Sequence, residues 1–350
     1  MPLIDSSDLK RFSEEIFVAS GVPKETAGVV ADSLVGANLR GHDSHGVIRI
    51  TEYVNWMQRG WVNPEGQLKI IREQPCILIL DGQFGFGQLI GRQAMELAIP
   101  VARRDGICVI SLRRSGHLGR VGEFMEMAAS AGLTGFGFTN THGGGVLVAP
   151  HGGCERRLSA NPIVGGAPMA DGRDLIMDIS TSTTAEGKIK VARNKGVAMD
   201  PGLFVNGLGR PSTDPEEYYQ DPPGALLPMA GHKGFALSMF CEVFAGAMTG
   251  AGCSRPGDNP VANGWMAFLL NPEIFSGTEF FAEEMSGLAA FVRSSRPMEG
   301  FDRVRLPGEP ETEAIQTRSR NGIPIDETTW SGICRIASEH NVDVPAVRSH

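Results

Sequence analysis

The sequence predicts an α+β fold, a mixed α/β sheet core with a helical domain built from both termini. Three observations carry this prediction. Residues 8–60 keep helical period, with Leu9, Phe12 and Ile16 on one face. The tail, residues 312–341, returns to the same pattern. Between them, short β-like apolar runs alternate with helical stretches. Helices gathered at both ends of a sheet-forming middle must bury their apolar stripes, which predicts that the termini pack together. The division expected is residues 1–66 plus 310–350 for the helical part and 67–309 for the mixed part, the latter with room for two subdomains.

In chain order, three helices fill residues 8–60. Pro23 can open the second, because its fixed φ suits a first helical turn, and Gly60 can stop the third. From Gln67 the pattern changes to strands at 68–71 and 77–80. A helix at 89–104 follows, with Pro100 predicted to kink it. Strands at 107–112, 134–139, 175–179 and 266–270 alternate with helices at 120–131, 184–195 and 233–248. Residues 206–229 hold five prolines and several glycines and read as an irregular loop. Gly322-Ile323-Pro324 breaks the tail helix. No internal repeat or low-complexity tract is present.

A chain of 350 residues can bury a full core. Hydrophobic residues at 41% and charged residues at 21% describe a soluble globular protein. The net charge of −8, from 32 basic and 40 acidic residues, gives no electrostatic reason to expect nucleic acid or an anionic membrane. Any anionic ligand must therefore be held by local arginines and lysines. The six cysteines show no CxxC pair and several lie in apolar runs, which predicts reduced, buried, structural thiols. The N-terminus carries no basic-then-apolar leader. The longest apolar run, 235–251, has Glu242 at its centre and is too short to span a bilayer. It reads as a buried core or interface helix, and the expected location is the cytoplasm.

Residues 40–53, RGHDSHGVIRITEY, are the richest in chemistry. If the segment after Asp43 is helical, His45, Arg49 and Tyr53 recur at i, i+4 and i+8 and share a face. An arginine among Ser44, imidazole and phenol suits a small carboxylate, held by a two-pronged charge-assisted bond. An ordinary solvated face is the alternative. A second island, Ser115-Gly116-His117-Leu118-Gly119-Arg120, follows a strand, so His117 sits on a glycine-bracketed turn where an imidazole could exchange a proton. Asp178-Ile179-Ser180-Thr181-Ser182 closes another strand ahead of a helix bearing Lys188 and Lys190, and Gly231-His232-Lys233-Gly234 opens a second helix. Backbone N–H groups at such helix starts can cradle a phosphate, although an ordinary N-cap looks the same.

Gly85-Phe86-Gly87 and Gly91 after the strand at 77–80 imitate a dinucleotide-binding turn, with Arg113-Arg114 as an apparent 2′-phosphate site. The fingerprint needs its glycines directly at the strand's end, whereas Gly85 comes several residues after Leu80. A glycine-rich turn before a packing helix is the better reading. His42 and His45 have metal-ligand spacing, but no third ligand accompanies them, so no metal is predicted. A hydrolase built on Ser44 would lack a GxSxG elbow. Adjacent helix residues point apart, so Ser44 is not expected to pair with His45.

These islands, in this order, resemble the malate/L-lactate dehydrogenase family of NAD(P)-dependent oxidoreductases, from about Gly41 to Pro307-Gly308-Glu309 and the helical tail beyond. The resemblance implies a non-Rossmann cofactor-binding fold, NAD or NADP as cofactor, and hydride transfer at C2 of a small 2-hydroxy or 2-oxo carboxylate. Reduction of a cyclic imino acid is the alternative within the family. The acid/base is implied at His117 in some relatives and at His45 in others, with His117 preferred here. Ser44, Arg49 and Tyr53 then become carboxylate and hydroxyl anchors, and His42 is structural. Asn140, Asn161-Pro162-Ile163, Asp178, Thr181, Ser182, Lys188, Lys190, His232, Lys233, Gly234, Pro307, Gly308 and Glu309 are implied to border the cofactor. Relatives form two-fold dimers, which makes the 235–251 helix an expected homodimer interface.

Three departures from the family pattern are expected to touch substrate choice. Phe124 stands where tyrosine is frequent, Gly231-His232 replaces Gly-Gly, and Thr141-His142-Gly143-Gly144-Gly145 matches only some relatives.

Overall fold

A computed structural model of the chain describes residues 1–142, 145–257 and 260–347. The first third comprises β1 (Leu3–Ile4), α1 (Ser6–Ala19), α2 (Lys24–Leu39), 3-10 turns at Asp43–His45 and Val47–Arg49, and α3 (Ile50–Gln58). Next come β2 (Lys69–Gln74), β3 (Ile77–Asp81), α4 (Gly87–Asp105), β4 (Ile107–Ser115), α5 (Gly122–Ser130) and β5 (Thr134–His142). The middle continues through β6 (Val146–Val148), β7 (Leu158–Ser159), β8 (Pro162–Ala167), β9 (Leu175–Ser180), α6 (Glu186–Lys195), β10 (Phe204–Val205), β11 (Pro211–Ser212), α7 (Pro215–Tyr218) and β12 (Ala225–Leu226). The last third holds α8 (His232–Cys241) running into a π-helical segment Glu242–Met248, β13 (Ala262–Leu270), α9 (Pro272–Phe275), α10 (Thr278–Arg293), α11 (Glu309–Asn321), β14 (Ile323–Pro324) and α12 (Glu327–Glu339).

A seven-stranded sheet in the order β2-β3-β4-β13-β5-β8-β9 forms the frame. Only β3 and β4 run parallel; the other neighbours are antiparallel. Central β13 is buried along most of its length, because helices cover both of its faces. On one face Trp265 meets Phe124 of α5, with ring centroids 5.1 Å apart, above the Ile90–Met95 stripe of α4. On the other, Phe138 of β5 stacks at 4.8 Å on Phe244 of the π-helical segment. A five-stranded sheet, β11-β10-β12-β6-β7, carries a smaller core of its own around Phe204, Tyr218 and Leu226.

The two chain ends share one apolar cluster. Leu9, Phe12 and Ile16 of α1 pack with α2, α3 and α12, and with Ile323 and Ile325. β1 pairs antiparallel with β14, Ile4 opposite Ile323. This mixed α/β architecture agrees with the predicted class.

Several local expectations needed correction. The stretch 206–229 is not all loop: short β11 and β12 join the five-stranded sheet, with the helical turn α7 between them. Strands this short lack an alternating pattern to read. Residues 278–293 form α10, which went unpredicted. Gly143 and Gly144 of the 141–145 motif lie outside the described residues. The six thiols are free, but Cys154 and Cys253 are exposed rather than buried.

Candidate active site

The 40–53 segment is not one helix. Two 3-10 turns are separated by Gly46, whose extended backbone resets the helical phase before α3 begins. The side chains converge nonetheless. The His45 and His117 rings stack at 5.5 Å with 13° between planes, and the Tyr53 hydroxyl lies 2.7 Å from His117 Nδ1. Ser44 Oγ is 3.0 Å from His45 Nδ1, which overturns the expectation that these neighbours point apart. The three-residue 3-10 turn does not impose α-helical side-chain directions. Arg49 Nε donates 2.7 Å to the Ser44 carbonyl and its Nη1 meets the Glu52 carboxylate. Tyr53, expected to grip substrate, is 1% exposed, so its hydroxyl reaches the site through His117.

Backbone packing fixes the His117 turn. A Cβ on Gly87, at the start of α4, would fall 2.3 Å from the His117 carbonyl oxygen. Leu118 N donates 2.8 Å to Asn263 Oδ1 of β13. Gly91, part of the false dinucleotide motif, lies under Phe124, where a Cβ would approach Cζ to 2.1 Å. Arg113 and Arg114 both bind the buried Asp81 carboxylate, at 3.1 and 2.6 Å. Gly87 and Gly91 of that motif thus sit at close packing contacts, and its two arginines form ion pairs with Asp81. Phe124 is fully buried in the core, so its expected influence on substrate choice has no direct contact to act through.

Burial, reinforced by Arg49, holds the His45 pKa down to about 3. Burial, Arg49 and His45 together hold His117 well below its ordinary range. Burial raises Tyr53, so the phenol stays protonated. Both rings are thus neutral near pH 7, as a proton acceptor must be. An unfolded His45 takes its proton near 6.5, the folded one not until about 3. Between those values the unfolded state holds more protons, so stability falls as pH drops through that window and is unaffected above it. His45→Asn is expected to flatten the acid limb of a Tm-against-pH curve. An unaltered slope would refute this origin of the acid lability.

The two candidate phosphate cradles lie side by side. Met229 N donates 2.9 Å to the Thr181 carbonyl, Gly234 N donates 2.9 Å to the Met229 carbonyl, and Ser182 bridges to Pro228. The segments entering α6 and α8 are thereby joined. Lys188, Lys190, His232 and Lys233 are exposed there, and among the described residues the three lysines form no ion pair. Thr181 Oγ1 is buried without a partner, whereas Ser182 Oγ donates 2.8 Å to the Thr184 carbonyl. Gly187 at the start of α6 faces Ser44, a Cβ there lying 3.5 Å from the serine's. The cradle thus borders the 40–53 cluster.

Other expected cofactor residues are tied into the protein. Asn140 and Asn161, both fully buried, donate to Glu242 at 3.2 and 2.9 Å. Pro162 opens β8 directly after Asn161. Asp178 accepts 2.8 Å from Gly122 N, and burial raises its pKa against the pull of Arg120. The Pro307 carbonyl accepts from Ile176 N at 3.2 Å, and Gly308 caps α11 with φ 97°. Glu309 is 5% exposed and accepts 2.6 Å from Arg293. His42 Nε2 meets Glu311 at 3.2 Å, in keeping with its structural reading.

Three residues were missed: Gln88, which donates 2.8 Å to the Tyr53 hydroxyl; Asn263, whose Nδ2 donates 2.9 Å to the Asn140 carbonyl; and Glu242 as the hub of the asparagines. The available signal was a lone polar residue inside an apolar run.

The family model described as malate/L-lactate dehydrogenase matches residues 4–334. An L-lactate dehydrogenase of Cupriavidus necator is 37% identical over 347 residues, covering 98% of this chain and 99% of the relative. The solved malate dehydrogenase of Pyrococcus horikoshii superposes with a TM-score of 0.88 at 33% identity, covering 97% of this chain and 96% of its own. The solved delta1-piperideine-2-carboxylate reductase of Pseudomonas syringae superposes with a TM-score of 0.82 at 27% identity, covering 96% and 100%.

Proposed function

The chain belongs to the malate/L-lactate dehydrogenase family, and from that premise we propose that it moves a hydride between a nicotinamide, NAD or NADP, and C2 of a small 2-hydroxy or 2-oxo carboxylate. It is an oxidoreductase acting on CH–OH donors. One observation carries the residue assignment: His117, His45, Arg49 and Tyr53 converge in a single cluster beside the α6 start. Arg49 and Ser44 hold the substrate carboxylate and orient C2, an effect of positioning. His117 takes the hydroxyl proton during oxidation and returns it during reduction, with His45 as second choice. Tyr53 holds the His117 ring by Nδ1.

The residues present fit a dinucleotide. Exposed Lys188, Lys190 and Lys233 at two adjoining helix starts suit its phosphates, Thr181 Oγ1 offers an unused hydroxyl, and His232 and Gly234 flank Lys233. Asn140, Asn161, Pro162, Asp178, Ser182 and the Pro307-Gly308-Glu309 turn shape its border. When bound, the nicotinamide supplies the hydride chemistry; the chain supplies geometry and charge. A cofactor held by these elements makes this a non-Rossmann site, which the mostly antiparallel sheet supports. Residues 1–66 and 310–350 form the helical domain of the same reading, and the expected location is cytoplasmic. Among the described residues, no helix is long and apolar enough to cross a membrane.

The test is a panel of 2-hydroxy acids, 2-oxo acids and cyclic imines with both cofactors, followed at 340 nm. No absorbance change with any of them would refute the assignment. Likeness to the piperideine-carboxylate reductase favours imine reduction as the second reading. Arg49→Lys keeps the charge but loses the fork, so KM for the carboxylate should rise about tenfold or more while cofactor affinity holds. An unchanged KM would remove Arg49 from the clamp.

Assembly is part of this proposal. Leu237, Met239, Phe240, Val243 and Met248 leave an exposed apolar face along α8 and the π-helical segment, which supports a homodimer. Sedimentation should give about twice 37.5 kDa. A fully active 37.5 kDa species would exclude a required dimer.

A further inference from the structure

Gln88 occupies the second position of α4 and is fully buried. Its Nε2 donates 2.8 Å to the Tyr53 hydroxyl oxygen, and that hydroxyl lies 2.7 Å from His117 Nδ1. Its other amide atom, Oε1, is buried without a hydrogen-bond partner. A buried acceptor left unsatisfied carries a desolvation penalty, so it is retained only where something offsets it. Three groups thus form a chain from amide to phenol to imidazole, with His117 Nε2 left to meet substrate.

A phenol has one proton, so the amide's orientation dictates where that proton points. With Nε2 of Gln88 donating, the phenol proton is directed at His117 Nδ1. The neutral imidazole then carries its hydrogen on Nε2 and can donate to a substrate oxygen. With the amide turned over, Oε1 accepts the phenol proton, the phenol accepts from Nδ1–H, and Nε2 becomes a bare lone pair. That second arrangement is the one able to take a proton from a hydroxyl. Both use the same heavy-atom positions, because amide oxygen and nitrogen are nearly the same size.

We infer that Gln88 is a positioning residue of the proton transfer: through Tyr53, its amide orientation selects which ring nitrogen of His117 holds the proton. The inference rests on the assignment of His117 as acid/base. The groups facing His117 are His45, stacked upon it, Arg49 and Tyr53 from the 40–53 segment, Trp56 at the ring edge, and Glu52 beside Arg49. Among the described residues, Gln88 alone of the side chains other than His117 hydrogen-bonds the Tyr53 hydroxyl, and its amide can meet that oxygen as donor or as acceptor. Gly119 leaves room for the amide: a Cβ there would sit 2.9 Å from Gln88 Nε2.

The test compares Gln88→Glu and Gln88→Met in the full chain. Glutamate can only accept when ionised, which holds the phenol proton away from Nδ1 and adds a negative charge beyond the ring. The pH profile of kcat/KM for alcohol oxidation should move upward by about one unit, a tenfold change in proton concentration. Methionine keeps the volume but removes both amide groups. It should lower kcat about tenfold or more in both directions without changing cofactor KM or Tm by as much. A Gln88 that merely packs predicts equal losses from both variants with the pH profile in place, and that result would overturn the inference. Should the glutamate chain fail to fold, methionine with wild-type kcat overturns it alone. His117→Ala separates the two levels: normal kcat there refutes the acid/base assignment itself, whereas its loss alongside silent Gln88 variants refutes only the role of Gln88.

Discussion

His117→Ala is expected to lower kcat about 10²–10⁴-fold, the usual worth of a positioned general acid or base. The argument starts from geometry. Tyr53 holds one nitrogen at 2.7 Å, His45 stacks on the ring, and the turn is pinned by Asn263 and Gly87. An imidazole so constrained has one free nitrogen and a neutral ground state. The lysines at the α6 and α8 starts belong to other elements, so titration of reduced cofactor by fluorescence should give a near-normal Kd. A variant retaining most of its kcat would transfer the role to His45. A variant losing cofactor affinity as well would mean the turn had collapsed rather than lost a proton.

Glu242→Leu should cost about 3–5 kcal/mol of stability and weaken cofactor binding together. This carboxylate is 5% exposed and accepts from Asn140 Nδ2, Asn161 Nδ2, and both the backbone N and the hydroxyl of Ser254. Leucine fills the space but strands several buried donors. Asn140 also orients Asn263 and Gly264, so the disturbance passes into β13. Glutamine at 242 keeps one acceptor and should fall between. Urea denaturation measures the loss, and a midpoint equal to wild type would show that the asparagines find other partners.

The sequence made the long elements legible because their apolar periods are strong: Leu9, Phe12 and Ile16 in α1 and the run into Leu270 of β13 are examples. It hid the second sheet, whose two- and three-residue strands carry no period, and α10, whose apolar side chains are largely exposed in the single chain. For the candidate site, chemistry-rich islands pointed to His45, Arg49, Tyr53 and His117, which the fold brings together, but their helical geometry was misjudged at Gly46, where backbone conformation rather than residue type decides. Gln88, Glu242 and Asn263 were not flagged as site residues because partners distant in sequence give them meaning. A single buried amide carries no local pattern.

The tie between the two ends of the chain sets an order of events during synthesis. The Asp43–His45 turn is held by Glu311 through His42 and by Arg318, which grips Asp43 and the Asn38 carbonyl. At about 5–20 residues per second, a ribosome delivers those tethers roughly ten seconds to a minute after the turn itself. Strand and helix pairs in between can assemble while the turn still lacks its clasp. A nascent chain thus acquires its sheet before the Asp43–His45 turn is fixed, and the turn sets only once α11 has emerged.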